Sequence, residues 1–185
     1  LTKFSNGFMP IGEIYLKGKS KSEILLSTYI CHPSMANNEL SGVVLATYLS
    51  KWLKKIKNLR YSYRILFLPE TIGSITYLSK NYRKLKKNVI AGYNLTCVGD
   101  DRNFSFLPSK DGNTISDKIA LKVLNENVKK FKIYQWKDRG SDERQYCSPG
   151  IDLPIASVMR SKYGTYKEYH TSLDKIGTVM TKKGI

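Results

Sequence analysis

The sequence predicts a three-layer α/β/α fold with a mixed, largely parallel central sheet. Two observations carry this. Strand-like and helix-like segments alternate along the chain, the order expected when crossover helices cover both faces of one sheet. The run Ile24-Leu25-Leu26-Ser27-Thr28-Tyr29-Ile30 is almost wholly apolar or β-favouring, which suits a strand buried on both faces.

The elements follow in order. Residues 11–17 and 23–31 read as two strands around a lysine-rich hairpin, Lys17-Gly18-Lys19-Ser20-Lys21. Leu40, Val43, Val44, Thr47, Tyr48 and Trp52 recur at helical spacing, so a helix is expected over 40–54. Residues 63–68 form a third strand, stopped by Pro69, and a helix over 73–82 follows. A further strand is expected over 89–97 and a long amphipathic helix over 113–130. Residues 133–136 and 155–159 read as two more strands.

At 185 residues, 41% of them apolar, the chain is expected to be a single domain, 1–185, able to bury a substantial core. No apolar run approaches the roughly 20 residues of a membrane span. Leu1-Thr2-Lys3 resembles neither a signal peptide nor a natural start, so a fragment of a longer chain is expected. The net charge is +16, and lysines cluster at 17–21, 51–60, 80–87 and 129–130. These fall on presumed helices and turns and read as a solvated surface; a nucleic-acid footprint is the competing reading. Cys31, Cys97 and Cys147 have no paired spacing, and an odd count points to reduced thiols and a cytoplasmic setting.

In such sheets functional groups gather beyond the carboxyl ends of the strands. Here those ends run into Cys31-His32-Pro33-Ser34, into Pro69-Glu70, and into Gly99-Asp100-Asp101. The chain has two histidines, His32 and His170, each in a polar, loop-like stretch. A lone histidine is more often structural than a ligand. Two beside carboxylates and amides make a metal site an equal contender, because neutral imidazole and carboxylate are zinc donors and a nearby glutamate can act as general base.

Several stretches together resemble the zinc aminopeptidases. His32-Pro33-Ser34-Met35-Ala36-Asn37-Asn38-Glu39-Leu40-Ser41-Gly42 is similar to their first metal motif, a histidine followed by Asn-Asp-x-x-Ser-Gly. Pro69-Glu70-Thr71-Ile72-Gly73 resembles their Glu-Glu-x-Gly segment, in which the first glutamate is the base. Ser141-Asp142-Glu143 resembles a Ser-Asp-His stretch, and Tyr169-His170-Thr171-Ser172-Leu173-Asp174 the last metal histidine and its aspartate. The resemblance is closer to a branch of uncharacterised aminopeptidase-like proteins linked to polysaccharide-biosynthesis loci, carried by Cys31-His32-Pro33-Ser34, Cys97-Val98-Gly99-Asp100-Asp101-Arg102 and Gly140-Ser141-Asp142-Glu143-Arg144-Gln145-Tyr146-Cys147. Members of that branch are longer, which again implies a fragment.

The resemblance implies a zinc-exopeptidase-like fold and hydrolysis of a small peptide or amide substrate. Where a two-zinc site has its bridging aspartate, its second glutamate and its third-strand aspartate, this chain has Asn38, Thr71 and Thr96. One zinc ion is therefore expected, held by His32, Asn38 and His170, with Glu39 or Asp100 as substitute donors. Glu70 is expected as general base and Tyr169 as donor to the developing oxyanion. Asp142 and Arg144 are expected to line the pocket, and Asp174 to orient its neighbours. Bland alternatives accompany these: Asn38 as helix N-cap, Glu39 as a first-turn glutamate favoured by the helix dipole, Asp142 and Arg144 as a surface ion pair. A binding module with catalysis lost, and a hydrolase using Cys147 as nucleophile, are the competing functions.

Overall fold

The computed structural model describes residues 3–184; Leu1 and Thr2, read above as part of an unnatural start, and Ile185 lie outside the described residues. In chain order the elements are β1 (Gly12–Leu16), β2 (Glu23–Tyr29), α1 (Ser41–Lys55), β3 (Ser62–Leu68), α2 (Ile72–Asn88), β4 (Val89–Asn94), β5 (Ser105–Leu107), α3 (Ile115–Asn127), β6 (Lys132–Ile133), α4 (Glu143–Tyr146) and β7 (Ile155–Met159). A π-helical turn, Ala36–Leu40, leads into α1.

The seven described strands form one sheet in the order β1-β3-β2-β4-β7-β5-β6. β3, β2, β4 and β7 run parallel; β1 and β5 join antiparallel. The chain leaves β2 for β3 on one side and then returns to β4 on the other. This reversal opens a crevice at the carboxyl end of β2, where ligands bind in open α/β sheets. β2 is buried along nearly its whole length, as its composition predicts.

Side chains alternate across the pleat. Leu25, Leu66 and Leu68 face Tyr77, Leu78 and Leu85 of α2, whereas Leu26 and Ile65 face Ala46 of α1. Tyr93 packs against both the α1 cluster and the α3 cluster of Ala120 and Leu124, so α1 and α3 share a face. Close approach is built into α1: a Cβ on Gly42 would stand 2.2 Å from the Leu95 carbonyl oxygen and 2.6 Å from Thr28 Oγ1. Only glycine lets the helix start lie so near the strand ends.

Three expectations are corrected. β1 and β2 form no hairpin; β1 pairs with β3, Gly12 opposite Phe67 through Leu16 opposite Tyr63. The link is a buried side chain. Arg64 of β3 donates to both oxygens of Glu23, at 2.7 and 3.0 Å, and also to Glu13 of β1. The second helix continues to Asn88, because Leu85 keeps its apolar face in the core while the lysines point outward. The strand expected over 89–97 stops at Asn94, since the chain bends away there toward the crevice and Cys97 adopts φ 52°. Among the described residues no helix is long and apolar enough to cross a membrane.

Candidate metal centre

Beyond the ends of β2 and β3, the loops carrying His32 and Glu70 meet the loop carrying His170. The imidazole rings of His32 and His170 are 5.0 Å apart, centre to centre, and tilted by 36°. Two imidazoles on one tetrahedral zinc stand about 5 Å apart, given Zn–N bonds of roughly 2.0–2.1 Å. The fold thus brings together two rings 138 positions apart in sequence, while among the described residues the candidate ligand atoms that gather within 4.8 Å of one another are those of Cys31, His32 and Glu39. Glu70 Oε2 lies 3.6 Å from His32 Nε2, and Glu39 Oε2 lies 3.3 Å from His32 Nδ1.

Backbone conformation holds these groups in place. Thr71 has φ 63° and ψ −68°, an unfavourable position for a β-branched residue, and it turns the chain from Glu70 into α2. Its N–H donates to Asp142 Oδ1 at 2.7 Å, as does Ser74 Oγ at 2.8 Å. Ser141 Oγ donates to Glu70 Oε1 at 2.5 Å. His170 itself has φ 56°, and Tyr169 stacks on its ring at 3.9 Å. Burial first, then the charges of Cys97 and Glu70, pushes the Tyr169 hydroxyl up to about 12, so it stays a donor at neutral pH.

The other expected residues divide. Glu39 is 4% exposed and lies in the π-helical turn that precedes α1; its carboxylate turns inward and accepts the N–H of Cys31 at 2.9 Å and that of His32. Its first-turn position holds for this π-helical turn, and the inward contacts to the Cys31–His32 loop come in addition. Asn38 does not cap α1, whose N-cap position is Leu40. It is fully buried in the π-helical turn, its Oδ1 accepts from Tyr29 at 2.9 Å, and its Nδ2 has no partner. The capping is done from a distance by Asp174, whose buried carboxylate accepts the N–H groups of Asn37 (2.7 Å) and Asn38 (3.0 Å) and the Tyr166 hydroxyl (3.0 Å).

Asp100 is buried and its oxygens are occupied by Asn37 Nδ2, the Ser161 N–H and hydroxyl, and the Arg102 N–H. It ties loops together and has no lone pair turned to the histidines. Asp142 is buried beneath Glu70, whereas Arg144 is exposed, so the two make no surface ion pair. Burial above all, with the charges of Glu70 and Glu143, holds the Asp142 carboxyl up at about 7. Cys147 is no nucleophile: it is fully buried, and its thiol points at the Leu153 and Ile155 carbonyls.

One neighbour was missed. Cys31 is exposed, its sulfur 3.3 Å from His32 Nδ1, and it accepts the Glu70 N–H at 3.2 Å. Its place just before the strand-end histidine was the available signal. Burial and the surrounding charges of Glu39, Glu70 and Asp142 push its thiol up. Among the described residues neither Glu39 nor Glu70 pairs with a lysine or arginine. In a chain of net charge +16, this pocket gathers negative groups and no basic side chain to match them.

Comparison with known proteins agrees with the fold and the family resemblance. The family described as "Domain of unknown function (DUF4910)" matches residues 1–184. A Clostridium acetobutylicum polysaccharide biosynthesis protein with aminopeptidase-like domain is 48% identical over 184 residues. The match covers 100% of this chain and 42% of that protein, so the chain spans less than half its relative. A solved structure from Clostridium acetobutylicum superposes with TM-score 0.89 at 48% identity, covering 94% of this chain and 40% of that one. The zinc aminopeptidase of Bacillus subtilis, at 16% identity, has TM-score 0.74 over 91% of this chain and 44% of its own; it shares the fold.

Proposed function

The chain belongs to the DUF4910 family, with the fold of the zinc aminopeptidases, and from that membership we propose that it forms the metal-binding part of a zinc-dependent hydrolase cutting a peptide or amide bond with one ion. The observation that carries this is the 5.0 Å pairing of His32 and His170 with Glu70 facing the same ring. The donor set fits zinc: two imidazoles and a carboxylate, Glu39, that no lysine or arginine neutralises among the described residues. Glu39 takes the part expected of Asn38, whose amide is engaged with Tyr29. When bound, zinc supplies Lewis-acid polarisation of a carbonyl and lowers the pKa of water.

The chain's own groups do the rest. Glu70, aimed by the Thr71 turn and held by Ser141, accepts the proton from the attacking water and passes it to the leaving amine. Tyr169, a donor at neutral pH, offers its hydroxyl to the developing oxyanion. The substrate is a short peptide or an amide on a sugar or modified amino acid, the last in keeping with the name of the Clostridium acetobutylicum relative. Three free thiols suit the cytoplasm.

A binding module with catalysis lost is the second reading, favoured by the neutral Asn38 and by Thr71 and Thr96 in place of carboxylates. Hydrolysis of aminoacyl anilides by the zinc-loaded full-length protein separates the two. Turnover is expected to stop with a chelator and to fall about 10²–10⁴-fold in Glu70→Gln while zinc stays bound. Undiminished turnover in that variant would overturn the role of Glu70; no turnover on any anilide or amide tried would favour the binding module.

A further inference from the structure

We propose that Cys31 is a further ligand of this metal centre, adding a soft sulfur donor to His32, His170 and Glu39; the proposal rests on the zinc reading above, and with four protein donors the catalytic water would have to enter as a fifth ligand. The Cys31 sulfur and Glu39 Oε2 each lie 3.3 Å from His32 Nδ1, and the ligand atoms of the three residues lie within 4.8 Å of one another. Around a tetrahedral zinc with bonds of about 2.3 Å to sulfur and about 2.0–2.1 Å to nitrogen or oxygen, neighbouring donors stand about 3.3–3.6 Å apart. The two sulfur–nitrogen and oxygen–nitrogen edges already have that length.

Charge points the same way. Glu39 is nearly fully buried, and a buried carboxylate without a countercharge is costly. Lysines abound on the surface, yet none reaches Glu39 among the described residues. A divalent ion supplies what the side chains withhold. Cys31 is also the thiol an ion can reach, since Cys97 and Cys147 are buried. On binding, the thiol gives its proton to solvent and the thiolate takes its place in the shell. Such a donor set favours zinc or cobalt over magnesium or manganese.

The test loads the full-length protein with Co(II) in place of zinc. A thiolate-to-cobalt charge-transfer band in the near ultraviolet is expected, and its loss in Cys31→Ser, whose circular dichroism should match the parent because the residue is exposed. Zinc affinity should fall by more than about tenfold, the low end of what losing even an outer-shell partner costs. Cobalt bound with ligand-field bands but no charge-transfer band overturns the proposal and leaves the hydrolase reading standing. So does a band that persists in Cys31→Ser, which would belong to another thiol. Failure to take up cobalt at all overturns both.

Discussion

Replacing Asp174 with asparagine should loosen the metal-motif turn although the residue touches neither histidine. Its carboxylate is fully buried and accepts three hydrogen bonds, two of them from the N–H groups of Asn37 and Asn38 that open the π-helical turn. An amide of the same shape keeps one oxygen for one N–H but turns its NH₂ against the other. Tyr166 can reverse its hydroxyl; a backbone N–H cannot. The loss is then at least one charge-assisted hydrogen bond, about 1.5–3 kcal/mol, and one orphaned buried donor, about 1–3 kcal/mol. These figures overlap, so roughly 2–4 kcal/mol of folding stability is expected to go. Urea unfolding of parent and variant, followed by circular dichroism, measures it as a shift in midpoint at unchanged slope. Because the turn also carries Glu39, zinc titration should show weaker binding. A stability change under about 1 kcal/mol would refute the view that Asp174 caps this turn.

Two further outcomes follow from the site. Asn38→Asp puts an uncompensated charge into the buried turn that carries Glu39, so the metal-free variant should melt below the parent, and calorimetry should show tighter zinc binding because a nearby cation relieves that cost without residue 38 ligating it; equal or weaker binding would mean that the ion lies away from this turn. Asp142 holds its proton up to about pH 7 when folded against about 3.8 unfolded, so between those values the folded chain binds a proton that the unfolded chain has released. Its contribution is therefore greatest below about pH 4 and declines as pH rises to about 7, by on the order of 4 kcal/mol. Unfolding at both ends of that window should show Asp142→Asn losing less stability than the parent; parallel pH profiles would overturn the buried-acid account.

Much of the molecule was legible in the chain itself. The apolar run of β2, the helical spacing of α1 and the alternation of strands with helices reflect local backbone preference and burial, which nearest neighbours in sequence encode. His32, Glu70 and His170 could be named because each sits where a strand or motif ends, and the parallel sheet sends those ends to one edge. What the sequence could not decide were choices between distant partners. Lysine-rich residues 17–21 look like a hairpin, but Arg64, buried with Glu23 and Glu13, draws β1 onto β3 instead. Glu39 reads as a first-turn glutamate and is one in the π-helical turn, but only the fold shows its carboxylate taking the N–H groups of the Cys31–His32 loop. Asn38 looks like a cap until Asp174, 136 residues on, takes that role. A buried polar group goes to whichever partner satisfies it, and only the folded chain brings those partners within reach.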